Sequence, residues 1–332
     1  MRRGFAILIG LLFCSGAFAA VRPLDRIKVA KGPYFMAMSP DGGKLYVAAF
    51  ADSEIQVIDV ALRRVVGRFY GGYEPVGLAV TPTGEKLFVS NLGPGLVKVI
   101  DTATTDILDD IKVGGRPNRI LISPSGLQAF VLNFGRGKIG RVDIIDTSSH
   151  RITAGIDVGV RPLAAALSPL EDLLFVACAG SNDVYVIDVN RREVVKKIPV
   201  GLGPDGIAVS TDGLRLYVAN SGTHDVSIVD LVDLEEVKRV PVGKKPFTMR
   251  ALPSGHLLVV ETGDKAVTVY DQDLQPLHSF KVKEKPVDAL LTPDGGTLFV
   301  SDELDNRIWV FPFSDPAGSR AKVQQTEPSS SR

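Results

Sequence analysis

The chain contains few of the residues that usually form metal, haem or redox sites. Among its 332 residues there are two cysteines, four histidines and one tryptophan. Two cysteines provide no disulfide framework, and neither lies in a Cys-x-x-Cys-His haem attachment motif. The histidines lack the paired spacing of a metal site; they are His150, His224, His256 and His278. The sequence therefore predicts no metal site and no cofactor.

Catalytic motifs are missing as well. There is no His-Glu-x-x-His, no Gly-x-Ser-x-Gly and no glycine-rich phosphate loop that opens a helix. An excess of charge of one sign is also absent, because 38 basic residues balance 38 acidic ones. Such a chain has no electrostatic reason to bind nucleic acid or a membrane surface. We therefore predict no catalytic residue and no nucleic-acid partner.

A continuous apolar run of notable length is found at the N-terminus. Phe5 to Phe13 follow two arginines and precede Ala17-Phe18-Ala19, the order of regions in a secretory signal peptide. The run is too short to span a bilayer comfortably. We predict a signal peptide over residues 1–20, cleaved near Ala19 or Ala20, a periplasmic or secreted protein, and no transmembrane segment after cleavage. A lipoprotein anchored through Cys14 is the alternative, which the bulky Phe13 disfavours.

The rest of the chain is built from seven repeats. Each begins with a proline and continues with a Ser-Pro-Asp-Gly-like turn, a Leu-Tyr-Val run and a Val-x-Val-Ile-Asp segment. The prolines recur at intervals of 40 to 45 residues and are Pro33, Pro75, Pro117, Pro162, Pro204, Pro246 and Pro286. Such a period is typical of small sheets that bury their faces against one another. Residues 314–332, rich in serine, proline and glutamine, are expected to form a disordered tail.

The fifth repeat predicts four strands. These cover Gly206 to Ser210, Arg215 to Asn220, Asp225 to Asp230 and Glu236 to Val242. The second strand is apolar on both sides in most repeats, so each sheet needs a cover on both faces. A ring of sheets provides that cover. We predict an all-β fold over residues 21–313, a seven-bladed β-propeller with four antiparallel strands per blade.

Ring closure is also predicted from the repeats. The seventh repeat ends in Ile308-Trp309-Val310-Phe311 and has no fourth strand. The segment before Pro33 parallels the fourth strand before Pro117. The N-terminal strand should therefore complete the last blade, which ties down a terminus that would otherwise fray.

Three repeated elements carry a resemblance to a known family. These are the Leu-[Tyr/Phe]-Val-x-Asn segment, as at Leu87–Asn91 and Leu216–Asn220, the Val-Gly-x-x-Pro before it and the Val-x-Val-Ile-Asp strand. Together they resemble the YVTN-type β-propeller repeats. That resemblance implies a seven-bladed ring and a secreted, periplasmic or cell-surface location, and its motif contains no catalytic residue. The asparagine is replaced in four repeats. When the repeats are aligned with one another, the residues at its position are Ala49, Cys178, Thr262 and Asp302.

Recurring aspartates have a structural interpretation. Six of them end the third strand of a repeat: Asp59, Asp101, Asp146, Asp188, Asp230 and Asp271. A ring of metal ligands is one reading, but an aspartate here can accept backbone N–H bonds in a tight turn, and we favour this second reading. Cys178 ends an apolar strand and is expected to be a buried small hydrophobic residue.

Basic residues collect beside the prolines. In a propeller the connections from fourth to first strand and from second to third strand leave on one side, here called the loop face. The candidate ligand- or partner-binding residues on this face are Arg116, Arg119, Arg136, Lys138, Arg141, Arg161, Lys245 and Lys285. Arginine side chains offer bidentate donors to carboxylate or phosphate. The alternative is that they are ordinary solvated surface residues.

These observations together predict an exported binding or scaffold protein. We expect a monomer that engages an anionic small molecule or a partner protein on its loop face. The family resemblance suggests an accessory role in a periplasmic redox or envelope system. The alternative is a lactonase-like hydrolase of the propeller class, which would need a metal or a charged catalytic set in the central channel.

Overall fold

The computed structural model describes residues 21–135 and 139–315. Outside these ranges lie the predicted signal peptide with Cys14, the candidate residues Arg136 and Lys138, and tail residues 316–332. The first half of the strands are β1 (Asp25–Lys28), β2 (Pro33–Met38), β3 (Lys44–Ala49), β4 (Glu54–Asp59), β5 (Arg64–Tyr70), β6 (Pro75–Val80), β7 (Lys86–Asn91), β8 (Leu96–Asp101), β9 (Ile107–Lys112), β10 (Pro117–Ile122), β11 (Gln128–Asn133), β12 (Gly140–Asp146), β13 (Arg151–Val158) and β14 (Pro162–Leu167). The second half are β15 (Leu173–Cys178), β16 (Asp183–Asp188), β17 (Glu193–Pro199), β18 (Pro204–Val209), β19 (Arg215–Asn220), β20 (Asp225–Asp230), β21 (Glu235–Pro241), β22 (Pro246–Ala251), β23 (Leu257–Glu261), β24 (Ala266–Tyr270), β25 (Pro276–Lys281), β26 (Pro286–Leu291), β27 (Thr297–Asp302) and β28 (Arg307–Pro312).

These strands form seven four-stranded antiparallel sheets, one per blade. Blade 1 contains β2 to β5, and each following blade takes the next four strands up to β25 in blade 6. The seven strands that begin at the prolines are the innermost and surround the central channel. A short 3-10 helix, Phe50–Asp52, is the helical element of the described residues. The predicted seven-bladed β-propeller is confirmed, and in the described residues no helix is long and apolar enough to cross a membrane.

Blade 7 is closed by the N-terminal strand. Its order is β1-β28-β27-β26, and β1 runs antiparallel to β28 with Ile27 opposite Ile308. Ile27 and Val29 are buried in one apolar cluster with Val310 and residues of blade 1. The predicted closure is confirmed. Burial of the apolar side chains of Ile27 and Val29 stabilises it.

The core lies between adjacent blades. In β7, Leu87 and Val89 pack into the cluster shared with blade 1, while Phe88 packs into the cluster shared with blade 3. All three side chains are fully buried. Because neighbours along a strand point to opposite faces, a second strand that is apolar at every position serves two cores at once.

The tight turns between strands have the hydrogen bonds that the sequence predicts. Each of the six strand-end aspartates accepts at least one backbone N–H from the turn that follows it: Asp59, Asp101, Asp146, Asp188, Asp230 and Asp271. In the fourth repeat Glu171 takes the left-handed conformation, with φ of 58°, that glycine has in the related turns. Its amide still donates to the Ser168 carbonyl, so the turn is kept without the usual glycine.

Candidate binding sites on the loop face and in the channel

The loop face is held together by one hydrogen bond that repeats in every blade. The carbonyl of the residue before each proline accepts the N–H of the residue that follows the second strand. The seven pairs are Gly32–Phe50, Glu74–Leu92, Arg116–Phe134, Arg161–Ala179, Gly203–Ser221, Lys245–Thr262 and Lys285–Glu303. The two kinds of connection therefore lie side by side on the loop face, and their backbones are fixed.

The last residue of the second strand anchors the same connections. The Asn133 carboxamide accepts the Arg116 N–H, and the Asp302 carboxylate accepts those of Glu284 and Lys285. In blade 6 the residue at this position is Glu261, which pairs with Pro246 across the strands. The expectation of Thr262 at this position was one residue out of register, because the turn between the first two strands of blade 6 is one residue shorter than in the other blades.

Glu261 is almost fully buried, with 3% of its surface exposed. Its carboxylate accepts hydrogen bonds from the Gly243 N–H, the Thr268 hydroxyl and the Tyr270 hydroxyl. Burial raises the pKa of Glu261, while these three donors lower it. Two of these partners are in blade 6 and the third, Gly243, is in the connection that leads into it, so we assign Glu261 to the anchoring of the loop before Pro246.

Three of the candidate basic residues are exposed on the loop face and are here called the rim cations. They are Arg116, Arg161 and Lys245. Within the described residues none of the three has a carboxylate within 4.0 Å. Arg161 and Lys245 have φ values of 55° and 52°, so each side chain leaves a sharply turned backbone. None of the three is held in an ion pair, although Arg161 is close enough to Asp205 to lower the pKa of that carboxyl in part, against the rise that burial causes.

Two other candidates are already paired. Arg141 Nε lies 2.7 Å from Asp143 Oδ1, and Lys285 Nζ lies 2.7 Å from Glu303 Oε2. Asp143 is buried, and burial raises the pKa of its carboxyl. A ligand would have to compete with these internal partners.

Exposed apolar side chains share the loop face with the rim cations. Tyr73 and Leu202 stand in connections between blades, with 60% and 54% of their surfaces exposed. Ile139 and Leu304 stand in connections between second and third strands, with 60% and 64% exposed. The sequence gives no signal for the three aliphatic residues, since a single loop leucine or isoleucine has no pattern that reveals its exposure.

Arg119 lies apart from the rim cations. It lines a cavity of about 300 Å³ in the central channel, and its guanidinium carbon lies 3.9 Å from the centre of the Phe35 ring. The Nε atom is buried and has no hydrogen-bond partner among the described residues. Burial lowers the pKa of Arg119 to about 10, so the side chain remains a cation at neutral pH.

Phe35 closes the channel towards the loop face. It stacks on Phe247 with the ring centres 6.5 Å apart, and it packs against Val76 and Val287. Tyr34 lies edge-on to Phe35 above the closure, and burial raises its pKa to about 12. The closure separates the channel cavity from the loop face.

The opposite end of the channel is open. Side chains five positions after each proline are all partly exposed: Met38, Val80, Ile122, Leu167, Val209, Ala251 and Leu291. Two positions after each proline every side chain except that of Arg119 is buried or is a buried glycine. The channel cavity is therefore reached from the face opposite the loop face.

A second arginine enters the cavity beside a carboxylate. Arg250 Nη2 donates to Asp288 Oδ1 at 3.0 Å, and its Nε donates to the Ala289 carbonyl. Asp288 also accepts the N–H groups of Met36 and Ala289, and its side chain is 1% exposed. Asp288 and Asp205 oppose, through space, the lowering of the Arg119 pKa by burial, but Arg119 forms no ion pair within 4.0 Å among the described residues.

Elsewhere the described residues contain no group of three or more His, Cys, Asp or Glu placed to hold a metal ion. Cys178 is buried and unpaired, and burial raises the pKa of its thiol. It fills space in the core shared by blades 3 and 4. The expectation of a buried small hydrophobic residue is confirmed.

Comparison with known proteins agrees with this architecture. The model of the YNCE-like beta-propeller family matches residues 164–256. A solved chain of hydrazine synthase from Kuenenia stuttgartiensis has a TM-score of 0.78 and 22% sequence identity, covering 92% of this chain and 99% of that chain. No curated protein matches. The YNCE-like match over residues 164–256 and the seven-bladed ring fit the resemblance of the repeats to YVTN-type β-propellers.

Proposed function

We propose that the protein is an exported scaffold that binds an acidic partner protein on its loop face. The observation that carries this proposal is the exposure of Arg116, Arg161 and Lys245 without an ion-pair partner among the described residues. Two of the three precede the prolines of adjacent blades 3 and 4. Their backbones are fixed by the repeated loop-face hydrogen bonds, so little backbone freedom is lost when a partner binds.

The chemistry of the face suits a protein better than a small ion. Exposed Tyr73, Leu202 and Ile139 can supply apolar contact beside the arginines. Tyrosine and arginine are the side chains that most often dominate the energy of protein interfaces. Complementary charge would speed the encounter and select an acidic partner.

The location belongs to the same proposal. The N-terminal sequence pattern supports export, and a YNCE-like propeller together with a similar fold in hydrazine synthase is compatible with the periplasm. An accessory role in a redox or envelope system is consistent with these relatives and does not require a catalytic residue in this chain.

Charge reversal tests the proposal. Mature protein carrying Arg116→Glu and Arg161→Glu is compared with wild type in affinity capture from the periplasmic fraction of the source cells. The matched control is Arg64→Glu with Arg151→Glu, which makes the same charge change at exposed strand ends on the other face. We expect an acidic protein to be retained by wild type and control but lost with the loop-face variant. Equal retention by all three proteins, or retention of none, would refute the proposal.

A further inference from the structure

The channel cavity differs in kind from the loop face. It is enclosed by the innermost strands, closed by Phe35 at one end and open at the other. Its volume of about 300 Å³ lies at the lower end of the range of small-molecule sites. Size and depth both exclude a folded partner and admit a small ligand.

The cavity holds a guanidinium that has no direct ion pair with a carboxylate of the described residues. Arg119 and Arg250 bring two cations, and Asp288 brings one anion that is committed to Arg250 and two backbone N–H groups. Arg119 contacts the face of the Phe35 ring, and Asp288 and Asp205 oppose the lowering of its pKa by burial without forming an ion pair with it within 4.0 Å. Because the Arg119 Nε is buried, the donors left for an acceptor are the N–H groups of the two terminal nitrogens, Nη1 and Nη2.

The rest of the lining is apolar. Met36, Ile120, Ile207 and Met249 belong to the wall, and methionine side chains adapt their shape to different ligands. One free guanidinium matches one carboxylate in a bidentate geometry. A phosphate dianion would need more donors than this wall supplies, whereas an organic acid could place its apolar body against it.

We propose that the channel cavity is a binding site for a small organic carboxylate. The ligand enters from the face opposite the loop face, places its carboxylate on the terminal N–H groups of Arg119 and buries its apolar body against the methionine and isoleucine side chains. This site is independent of the loop-face partner, because Phe35 and Phe247 lie between the two. The protein would thus bind a small acid through the opening on one face and a partner protein on the other face.

Titration calorimetry on the mature chain tests this assignment. The probes are benzoate and hexanoate as carboxylates, benzamide as a neutral analogue of benzoate, and inorganic phosphate as a competing oxyanion. The variants are Arg119→Gln, which removes the charge, Ala165→Leu, which fills part of the cavity, and Arg116→Gln as the matched control on the loop face.

We expect at least one carboxylate to bind wild type and Arg116→Gln equally. Arg119→Gln should weaken that binding by about tenfold or more, and benzamide should be weaker than benzoate by a similar factor. Ala165→Leu should also weaken it, and thermal unfolding will show whether each variant is folded. Equal binding by Arg119→Gln, tighter binding of phosphate than of both carboxylates, or no carboxylate binding at about 10 mM would overturn the assignment.

Discussion

Arg119 lies with its guanidinium carbon 3.9 Å from the centre of the Phe35 ring, on the inner side of the closure that divides the channel from the loop face. The two residues come from blades 3 and 1, so the contact reaches across the channel. Arg119 is partly buried, and an unpaired cation that is partly removed from water is costly; here an aromatic face supplies part of the compensation. Such an arrangement is expected where a side chain lowers the stability of the empty protein and is compensated when a ligand binds.

Replacement of this arginine should stabilise the empty protein. Arg119→Met keeps most of the volume of the side chain and removes the unpaired charge. We expect the free energy of unfolding to rise by about 1 kcal/mol in urea titrations without added ligand. A decrease of that size would show that the cation–π contact with Phe35 outweighs the cost of burying the charge, and that Arg119 has a structural role.

The buried acid of blade 6 gives a pH-dependent prediction. Burial raises the pKa of Glu261 above its usual 4.5, so the folded chain holds this proton more tightly than the unfolded chain. The stability due to the group is therefore greatest below the unfolded pKa and falls as pH rises through the folded pKa. Glutamine keeps an acceptor and cannot ionise, so Glu261→Gln should equal wild type near about pH 4 and exceed it by about 1 kcal/mol near about pH 8.

Glu261→Ala serves as the comparison. It leaves the Gly243 N–H and the Tyr270 hydroxyl without their buried acceptor, which should cost about 2 kcal/mol at both pH values. Chemical denaturation of the three proteins at each pH measures the differences. If Glu261→Gln were less stable than wild type near about pH 8, the buried carboxylate would be a net stabilising group there.

Ring closure can be tested with one side chain. Ile27 is 6% exposed, lies opposite Ile308 and packs into the cluster shared by blades 7 and 1. Ile27→Ala should lower the free energy of unfolding by about 2–4 kcal/mol. Lys28→Ala, one residue further along the strand and exposed, should change it by less than about 0.5 kcal/mol. Equal stabilities of the two variants would mean that β1 contributes little to closure.

Sequence reasoning predicted the fold almost completely, because the fold depends on local patterns. In the fifth repeat the predicted second and third strands, Arg215–Asn220 and Asp225–Asp230, coincide with β19 and β20. The aspartate turns were predictable for the same reason, since each bond spans only two to four residues. A periodic pattern repeated seven times leaves little ambiguity.

The candidate site was less predictable because it depends on where side chains from distant repeats meet. Arg119 and Arg116 are three residues apart in sequence, yet the first faces the channel cavity and the second the solvent. The partnership of Arg250 with Asp288 joins blades 6 and 7, and no single repeat signals it. Lys285 likewise forms an ion pair with Glu303, which the sequence did not indicate.

The most direct test of the central claim is the affinity of the captured acidic protein for wild type and for the Arg116→Glu, Arg161→Glu variant, measured by surface plasmon resonance at low and high salt. We predict that the double reversal weakens binding by about tenfold or more, and that salt weakens wild-type binding more steeply than that of the variant. Equal affinities with the same salt dependence would contradict the assignment of the loop face as the partner-binding surface.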